Sequence, residues 1–368
     1  MTATDDTRRR VLVLGATGYI GSRLVPALLE AGHEVVASSS RTPDPSAYDW
    51  GDAVEWRRCD ATDPAQVARA VEDVDALCYL VHSLDAAHFA DRDRVAARTT
   101  AAAVAASGVR RVVYLSGLVP HASGQPLSDH LASRHEVEGL LAASGRSTLA
   151  LRAGVVIGAG STSFEIVRQL AMLLVVQPAP LWMRHRVQPV AVSDMVRALV
   201  EALEGEQPTG SLDVGGPDVL SYVDLMTMVG RTAGLLRLRV PVLVAPSTAV
   251  GLGMAALTAA PPRTALTLAH SLRDDMVCRP GRTWVPAAGA PLLGAETAVR
   301  RALAGDPDHA ESARPGDARW TRRVPLVESV PSPASVRAAG VLAVRRLREG
   351  VEQARRLRDR ADRTRPDA

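Results

Sequence analysis

Three glycines at three-residue intervals, Gly15, Gly18 and Gly21, fall within the run Gly15-Ala16-Thr17-Gly18-Tyr19-Ile20-Gly21. Residues of these types at this spacing can receive a diphosphate. Gly15 allows a tight turn, Gly18 lets the pyrophosphate approach the backbone, and Gly21 lets helix and strand pack closely. The run sits between an apolar stretch and a helical pattern, so the phosphates would meet the free N–H groups and the positive end of a helix. That chemistry is the binding of a nicotinamide dinucleotide. The end of the second strand bears on which one. Ser38-Ser39-Ser40-Arg41 carries no acid to bind a ribose 2′-hydroxyl, and Arg41 can grip a 2′-phosphate bidentately. NADP(H) is favoured on that ground, with Ser40 and Arg41 as its contacts; NAD(H) stays possible. Asp60, after the third strand, is either an acceptor for the adenine amino group or a turn aspartate.

Much chemistry is excluded by composition. The chain has no lysine and no asparagine. A Schiff-base lysine, a Walker A lysine and a lysine-assisted tyrosine base are therefore all impossible. Cys59, Cys78 and Cys278 stand far apart with no CxxC or Cys/His cluster, so they read as reduced thiols and no metal site is expected. The net charge of +3 is spread along the chain, so nucleic acid is not an implied partner. The polar start has no signal-peptide core, and a cytoplasmic location is expected.

The elements that must hold the glycine turn read as follows. Strands are expected at Val11–Leu14, Glu34–Ala37, Val54–Arg57, Ala76–Val81, Arg111–Leu115 and Thr148–Ala153. Helices alternate with them over Gly18–Ala31, Pro64–Val71, Ala86–Ser107 and Ser128–Ala143. Short, wholly apolar strands separated by helices demand a parallel sheet covered on both faces. The fold class is α/β, a Rossmann doubly wound parallel sheet with a smaller C-terminal substrate domain and a helical C-terminal tail.

Residues 1–10 are read as a flexible N-terminus and 11–155 as the dinucleotide-binding domain, to which elements from about 186–214 return. Residues 156–304 form mainly the smaller domain. In it Ser163–Val176 looks helical, Arg186–Val192 leads into a helix capped by Ser193-Asp194, Ser211–Val214 is a strand, and Ser221–Ala233 is a helix. Val240–Ala260 is 21 residues without a charge, interrupted by Pro241, Pro246, Gly251 and Gly253. It reads as buried or ligand-lining helix, with membrane association as the alternative. Residues 305–334 are rich in Pro, Asp, Ser and Arg and read as a linker. From Arg337 to Arg365 the tail holds ten arginines, and Val344, Leu347, Val351 and Ala354 give it a narrow apolar seam. It reads as a helix packing on its own domain or a sister subunit, or else as a binder of anionic membrane surface.

GATGYIGSRL, then CDATDPAQV, YLVHSL, VVYLSGLVP and LRAGVVIG, in this order, resemble the extended short-chain dehydrogenase/reductases, and among them the atypical NmrA-like branch that includes a nucleotide-binding accessory subunit of respiratory complex I. The resemblance covers about residues 10–300. It implies that Gly15, Thr17, Gly18, Tyr19, Ile20 and Gly21 hold the pyrophosphate, that Asp60 and Ala61 flank adenine, and that Val81 and His82 lie near the nicotinamide ribose. It also puts Ser116 at the catalytic serine position. The family's YxxSK stretch aligns with His130-Leu131-Ala132-Ser133-Arg134, so histidine replaces tyrosine and arginine replaces lysine. Arg134 can hold ribose hydroxyls but gives up no proton near neutrality. Hydride transfer to a carbonyl leaves an alkoxide that needs a donor. His130 can supply one, since free imidazole titrates near 6.5, and Arg134 would lower that value, which suits a neutral base. His82 is a second candidate and Ser116 a hydrogen-bond donor. Two functions fit: an NADP(H)-dependent oxidoreductase acting on an apolar carbonyl or alkene, and a redox-silent dinucleotide-binding regulatory or accessory protein.

Overall fold

The computed structural model describes residues 8–322 except 84–87, 121–126, 174, 205–207, 243–246, 272–273 and 315–316. The second half of the expected linker and the whole arginine-rich tail fall outside the described residues.

The first half alternates strand and helix as β1 (Arg10–Leu14), α1 (Gly21–Glu30), β2 (Glu34–Ser39), β3 (Glu55–Arg58), α2 (Pro64–Ala70), β4 (Ala76–Tyr79), α3 (Phe89–Ala105), β5 (Arg111–Gly117), α4 (Asp129–Ala142) and β6 (Ser147–Ala153). Then come β7 (Val156–Ile157), α5 (Thr162–Leu173), β8 (Val176–Pro180), β9 (Arg186–Val187), β10 (Val190–Ala191), α6 (Val192–Leu203) and β11 (Gly210–Val214). The rest is β12 (Leu220–Ser221), α7 (Tyr222–Thr232), β13 (Leu238–Val242), α8 (Ser247–Leu257), α9 (Pro262–Ser271) and α10 (Ala295–Ala304).

Seven strands form one parallel sheet in the order β11-β6-β5-β4-β1-β2-β3. This is the Rossmann order with β11 added at one edge, so the chain does return to the sheet late. Strand side chains alternate between faces, and β1 shows why both faces must be covered. Val11 and Val13 pack with Leu24 and Leu28 of α1 and Met195 and Leu199 of α6. Leu12 and Leu14 pack on the other side with Val67, Ala97, Val104, Val137 and Leu141. Each such side chain, fully buried, contributes about 1.5–3 kcal/mol. The resulting stiff sheet carries the glycine turn at the C-terminal end of its central strand.

Beyond the sheet, α5, α7 and α10 share a third apolar cluster, and α8 and α9 a smaller one. Several expectations change here. The helix read as Ser163–Val176 stops at Leu173, and Val176 opens β8 instead, because it pairs in parallel with β13. The uncharged run from Val240 is accordingly split into the end of β13 and α8. Ser193-Asp194 caps nothing: α6 starts at Val192 after Ala191 without a side-chain cap. Asp194 instead accepts a 2.7 Å hydrogen bond from the Leu293 N–H.

The largest correction concerns residues 305–322, read as the first part of a linker. Asp317 is buried against α1, where its carboxylate meets the buried Arg23 guanidinium at 2.8 Å and 3.0 Å. Arg23 also donates to the carbonyls of Tyr19, Ala159, Ala310 and Ser312. A polar, proline-containing sequence conceals this clasp because its contacts are ionic and backbone-mediated, with little apolar periodicity.

Candidate active site

The glycine turn forms as read. Gly15 has φ +98°, in the left-handed region, and Gly21 lies so close to it that a Cβ there would stand 2.3 Å from the Gly15 carbonyl oxygen. Helix α1 then starts after Ile20 with no side-chain cap and no acid in its first turn. Its leading N–H groups and positive end are thereby left for an anion. Gly15, Gly18, Tyr19, Ile20 and Gly21 form one wall of a crevice of about 230 Å³, and Leu80, His82, Ser116, His130 and Arg134 stand across it. The uncapped helix start, the backbone cradle and the cationic far side fit a dinucleotide diphosphate and its ribose.

Tyr19 enters this wall differently from the expectation. Its ring lies 4.1 Å under the Arg23 guanidinium and its hydroxyl is buried against Gly158, so burial drives its pKa far up. Thr17, Ser40, Arg41, Asp60, Ala61 and Val81 do not line the crevice. Val81 and Ala61 pack in the core under it. Ser40 and Arg41 are exposed just past β2, with the Arg41 N–H bonded to the Ser39 hydroxyl at 3.2 Å. Asp60 forms the turn: its carboxylate accepts from the Thr62 N–H at 3.0 Å and the Thr62 hydroxyl at 2.8 Å. The Thr62 bonds hold its pKa below the usual carboxylate range. Its other oxygen faces Arg92 at 3.4 Å.

His130 and Arg134 are one helical turn apart on α4, so both face the crevice. Arg134 donates to the Leu115 carbonyl at 2.9 Å and to the Tyr114 hydroxyl, which pins it at the end of β5. Two residues after Tyr114, the Ser116 hydroxyl is buried and has no hydrogen-bond partner among the described residues. His130 was read as able to supply a proton, and its surroundings oppose that. Burial, then the Arg134 charge, then His82 lower its pKa to about 3, so at neutral pH it is an uncharged imidazole. His82 is shifted down as well, by desolvation first and Arg134 second, while keeping an open face on the crevice. A neutral imidazole retains one N–H donor and one acceptor nitrogen.

A second cavity, of about 400 Å³, adjoins the first and shares Gly117, His130, Ala153, Gly154, Ser163 and Leu268 with it. Its other walls are almost wholly apolar and include Ile166, Leu170, Trp182, Met226, Val250 and Met254. His130 therefore stands where the two spaces meet. Sequence reasoning missed Ser163, which shares that position, and Leu80, which takes the place expected of Val81. It also missed Arg58, paired beside Ser39 at the exposed end of β3. The signal for Ser163 was present in Gly158-Ala159-Gly160-Ser161-Thr162-Ser163, a small-residue run opening a helix.

The profile of a family described as NAD(P)H-binding matches residues 15–170. A 3-diazoavenalumate denitrifying reductase of a Streptomyces species is 31% identical over 253 residues, covering 61% of this chain and 82% of that protein. The chain belongs to the atypical extended short-chain dehydrogenase/reductases. Two solved structures share the fold of this chain at low identity. The Bordetella bronchiseptica enzyme WbmH, solved in complex with NAD+, superposes with a TM-score of 0.61 at 18% identity, over 80% of this chain and 97% of its own. The Bacillus cereus UDP-glucuronic acid 4-epimerase in complex with NAD gives 0.56 at 16%, over 84% and 99%. Uncharacterised proteins of Mycobacterium tuberculosis and Mycobacterium bovis are 26% identical over 223 residues, and the chain spans 23% of their length. His130 and Arg134, on α4, are the residues that the resemblance sets where the family has its tyrosine and lysine.

Proposed function

We propose that the protein is an NADP(H)-dependent oxidoreductase acting on an apolar carbonyl or alkene held in the larger cavity. One observation carries the reading: a crevice walled by the glycine turn and an apolar chamber share His130 in their lining. A bound nicotinamide supplies or accepts a hydride. The chain's own residues do the rest. The backbone of Gly15–Gly21 holds the diphosphate, and Arg134 holds ribose hydroxyls. Asp60 borders adenine, with Leu80 and His82 beside the nicotinamide ribose. Arg41, with Ser40 and Arg58 at the neighbouring strand ends, grips a 2′-phosphate. The chamber excludes water from the substrate, which strengthens every hydrogen bond made inside it. His130, as a neutral imidazole, donates its N–H to the developing oxyanion and Ser116 adds a second donor. In the oxidising direction its free ring nitrogen accepts the proton of an alcohol.

The Streptomyces relative is named a reductase, in line with this reading. The solved neighbours named for UDP-sugars point elsewhere, yet a chamber walled by Ile166, Leu170, Trp182 and Met254 offers a sugar's hydroxyls almost no partners.

The test is NADPH oxidation against a panel of apolar ketones, enones and quinones. Turnover is expected with at least one compound, falling at least tenfold in His130→Ala while dinucleotide affinity holds. In Arg41→Ala, NADPH affinity is expected to fall about tenfold to a hundredfold and NADH affinity little, as befits one charge-assisted contact. Equal turnover in His130→Ala overturns its role, and equal losses for the two dinucleotides overturn the 2′-phosphate contact. A redox-silent binding protein is the second reading, favoured by the absence of any lysine and by the uncharged imidazole of His130. Unchanged NADPH across the whole panel, with saturable binding, would select it.

A further inference from the structure

Arg23, on α1, is 2% exposed, and its guanidinium joins three segments that stand far apart in the chain. It donates to the Tyr19 carbonyl of the glycine turn at 2.9 Å and to the Ala159 carbonyl, in the loop before α5, at 3.1 Å. It also donates to the carbonyls of Ala310 and Ser312, at 2.9 Å and 2.7 Å, and to both carboxylate oxygens of Asp317. Arginine carries several N–H donors in a rigid fork, so one side chain can bind all three segments at once.

Two of these segments line the dinucleotide crevice. The glycine turn does so through Gly18, Tyr19, Ile20 and Gly21, and the loop that runs into α5 does so through Ser161, Thr162 and Ser163. The third, Ala310–Ser312 with Asp317, is not among the crevice walls. It nevertheless grips the loop at two further points. The Ala159 N–H donates to the Glu311 carbonyl at 2.7 Å, and Asp317 packs so closely on Gly160 that a Cβ there would stand 2.3 Å from a carboxylate oxygen. The clasp thus fixes how far the loop stands from the glycine turn. Tyr19 spans that gap, with its hydroxyl set where a Cβ on Gly158 would be 2.3 Å away.

The closed arrangement is not favoured throughout. The Glu311 carboxylate is wholly buried, neither of its oxygens has a hydrogen-bond partner among the described residues, and its salt bridge to Arg301 is a loose 3.8 Å. The Tyr19 hydroxyl is also buried without a partner among them. Unpaired buried polar groups oppose closure, while the two-point contact of Arg23 with Asp317 favours it. A segment held by opposed terms responds to any ligand that binds one of its states better. A diphosphate seated between the turn and the loop is such a ligand, because both walls of its site are tied to the clasp.

We propose that Arg23 and Asp317 are positioning residues for the dinucleotide: the clasp sets the spacing of the two crevice loops, and dinucleotide binding tightens the clasp in return. Only binding in the crevice is required, not the reaction proposed above. Coupling between two sites is reciprocal, so it can be read from either end.

The experiment is hydrogen exchange of the full chain, read by mass spectrometry with and without saturating NADPH or NADH, together with calorimetric titration of Asp317→Asn. The amides of Ser312, Arg314, Asp317 and Thr321 are hydrogen-bonded within the clasp. With dinucleotide bound they are expected to exchange about fivefold more slowly or better, while those of α7 keep their rate. A clasp that served stability alone would not register the ligand. Asp317→Asn keeps the size of the side chain and removes its charge, so it should take up the same dinucleotide about tenfold more weakly. Equal clasp exchange with and without bound dinucleotide overturns the proposal, as does undiminished affinity in the folded variant. Slower exchange everywhere, α7 included, overturns it too, because that is general stabilisation by a ligand. Should Asp317→Asn fail to fold, exchange in the parent decides alone. Absence of uptake of either dinucleotide by the parent would overturn the dinucleotide reading and the coupling together, whereas uptake without coupling removes the coupling only.

Discussion

Leu12 and Leu238 are both leucines in parallel strands, and their surroundings are opposite. Leu12 stands between Val36 and Leu77 with helices beyond both faces of the sheet, and it has no exposed surface. Leu238 stands beside Val176 on the strand-pair face that runs on to the cavity-lining Pro180 and Val242, and it is 63% exposed. In the sheet, apolar residues are explained by packing, and acids and bases are mixed around it. Around the cavity they line an open space instead, and the exposed Asp224 of α7 acts on Arg239 of β13. The contrast teaches that apolarity has two uses in this chain. In the first region it holds the fold, and in the second it walls a cavity.

That contrast can be broken at the clasp joining the regions. Asp317→Ala leaves the Arg23 guanidinium buried without its counter-ion, which typically costs about 3–5 kcal/mol. Urea unfolding should show that loss, and a loss below about 1 kcal/mol would mean that the clasp contributes little to holding α1. Gly21→Ala tests the sheet side. Its Cβ would fall 2.3 Å from the Gly15 oxygen and 2.7 Å from the Ala16 Cα, and backbone cannot step aside cheaply. Overpacking of this kind costs about 1–3 kcal/mol. Calorimetry should also show dinucleotide uptake lost, and retained tight binding would refute the cradle.

The smallest effect is graded and sharpens the comparison at the junction of the two spaces. The folded chain refuses protons at His82 and His130 that the unfolded chain accepts below about 6.5. The stability contributed by these neutral rings is fully present above that pH. It is lost progressively as pH falls toward about 3, where His130 itself titrates. Tm measured from pH 7.5 down to 4.5 should decline, with a shallower decline in His130→Gln. Identical slopes would show that His130 is hydrated and titrates normally.

The sheet and the glycine turn were legible because their signals are local. Each strand of the first half announces itself as a short apolar run, and the φ demanded of Gly15 is met by its residue type alone. His130 and Arg134 were legible as a pair because a spacing of four puts them on one face of α4. The state of His130 was legible only in part: Arg134, four positions on, lowers its pKa as expected, but burial is the larger cause and His82 adds to it from far away in sequence. The strand at Val176 was hidden because its partner lies sixty residues on. Tyr114 holding Arg134 is likewise a tertiary contact between β5 and α4, invisible to any search for a tyrosine with a basic residue nearby in sequence.

By itself the sequence determined a parallel α/β sheet, a glycine turn after β1 and the absence of any lysine, because periodicity, glycine geometry and residue identity are carried by neighbouring positions. Only the tertiary structure decided that Asp317 closes on Arg23, that His130 is uncharged, and that an apolar chamber opens beside the dinucleotide crevice. Charge burial and cavity shape arise from residues distant in the chain, and they exist only once the fold has brought those residues together.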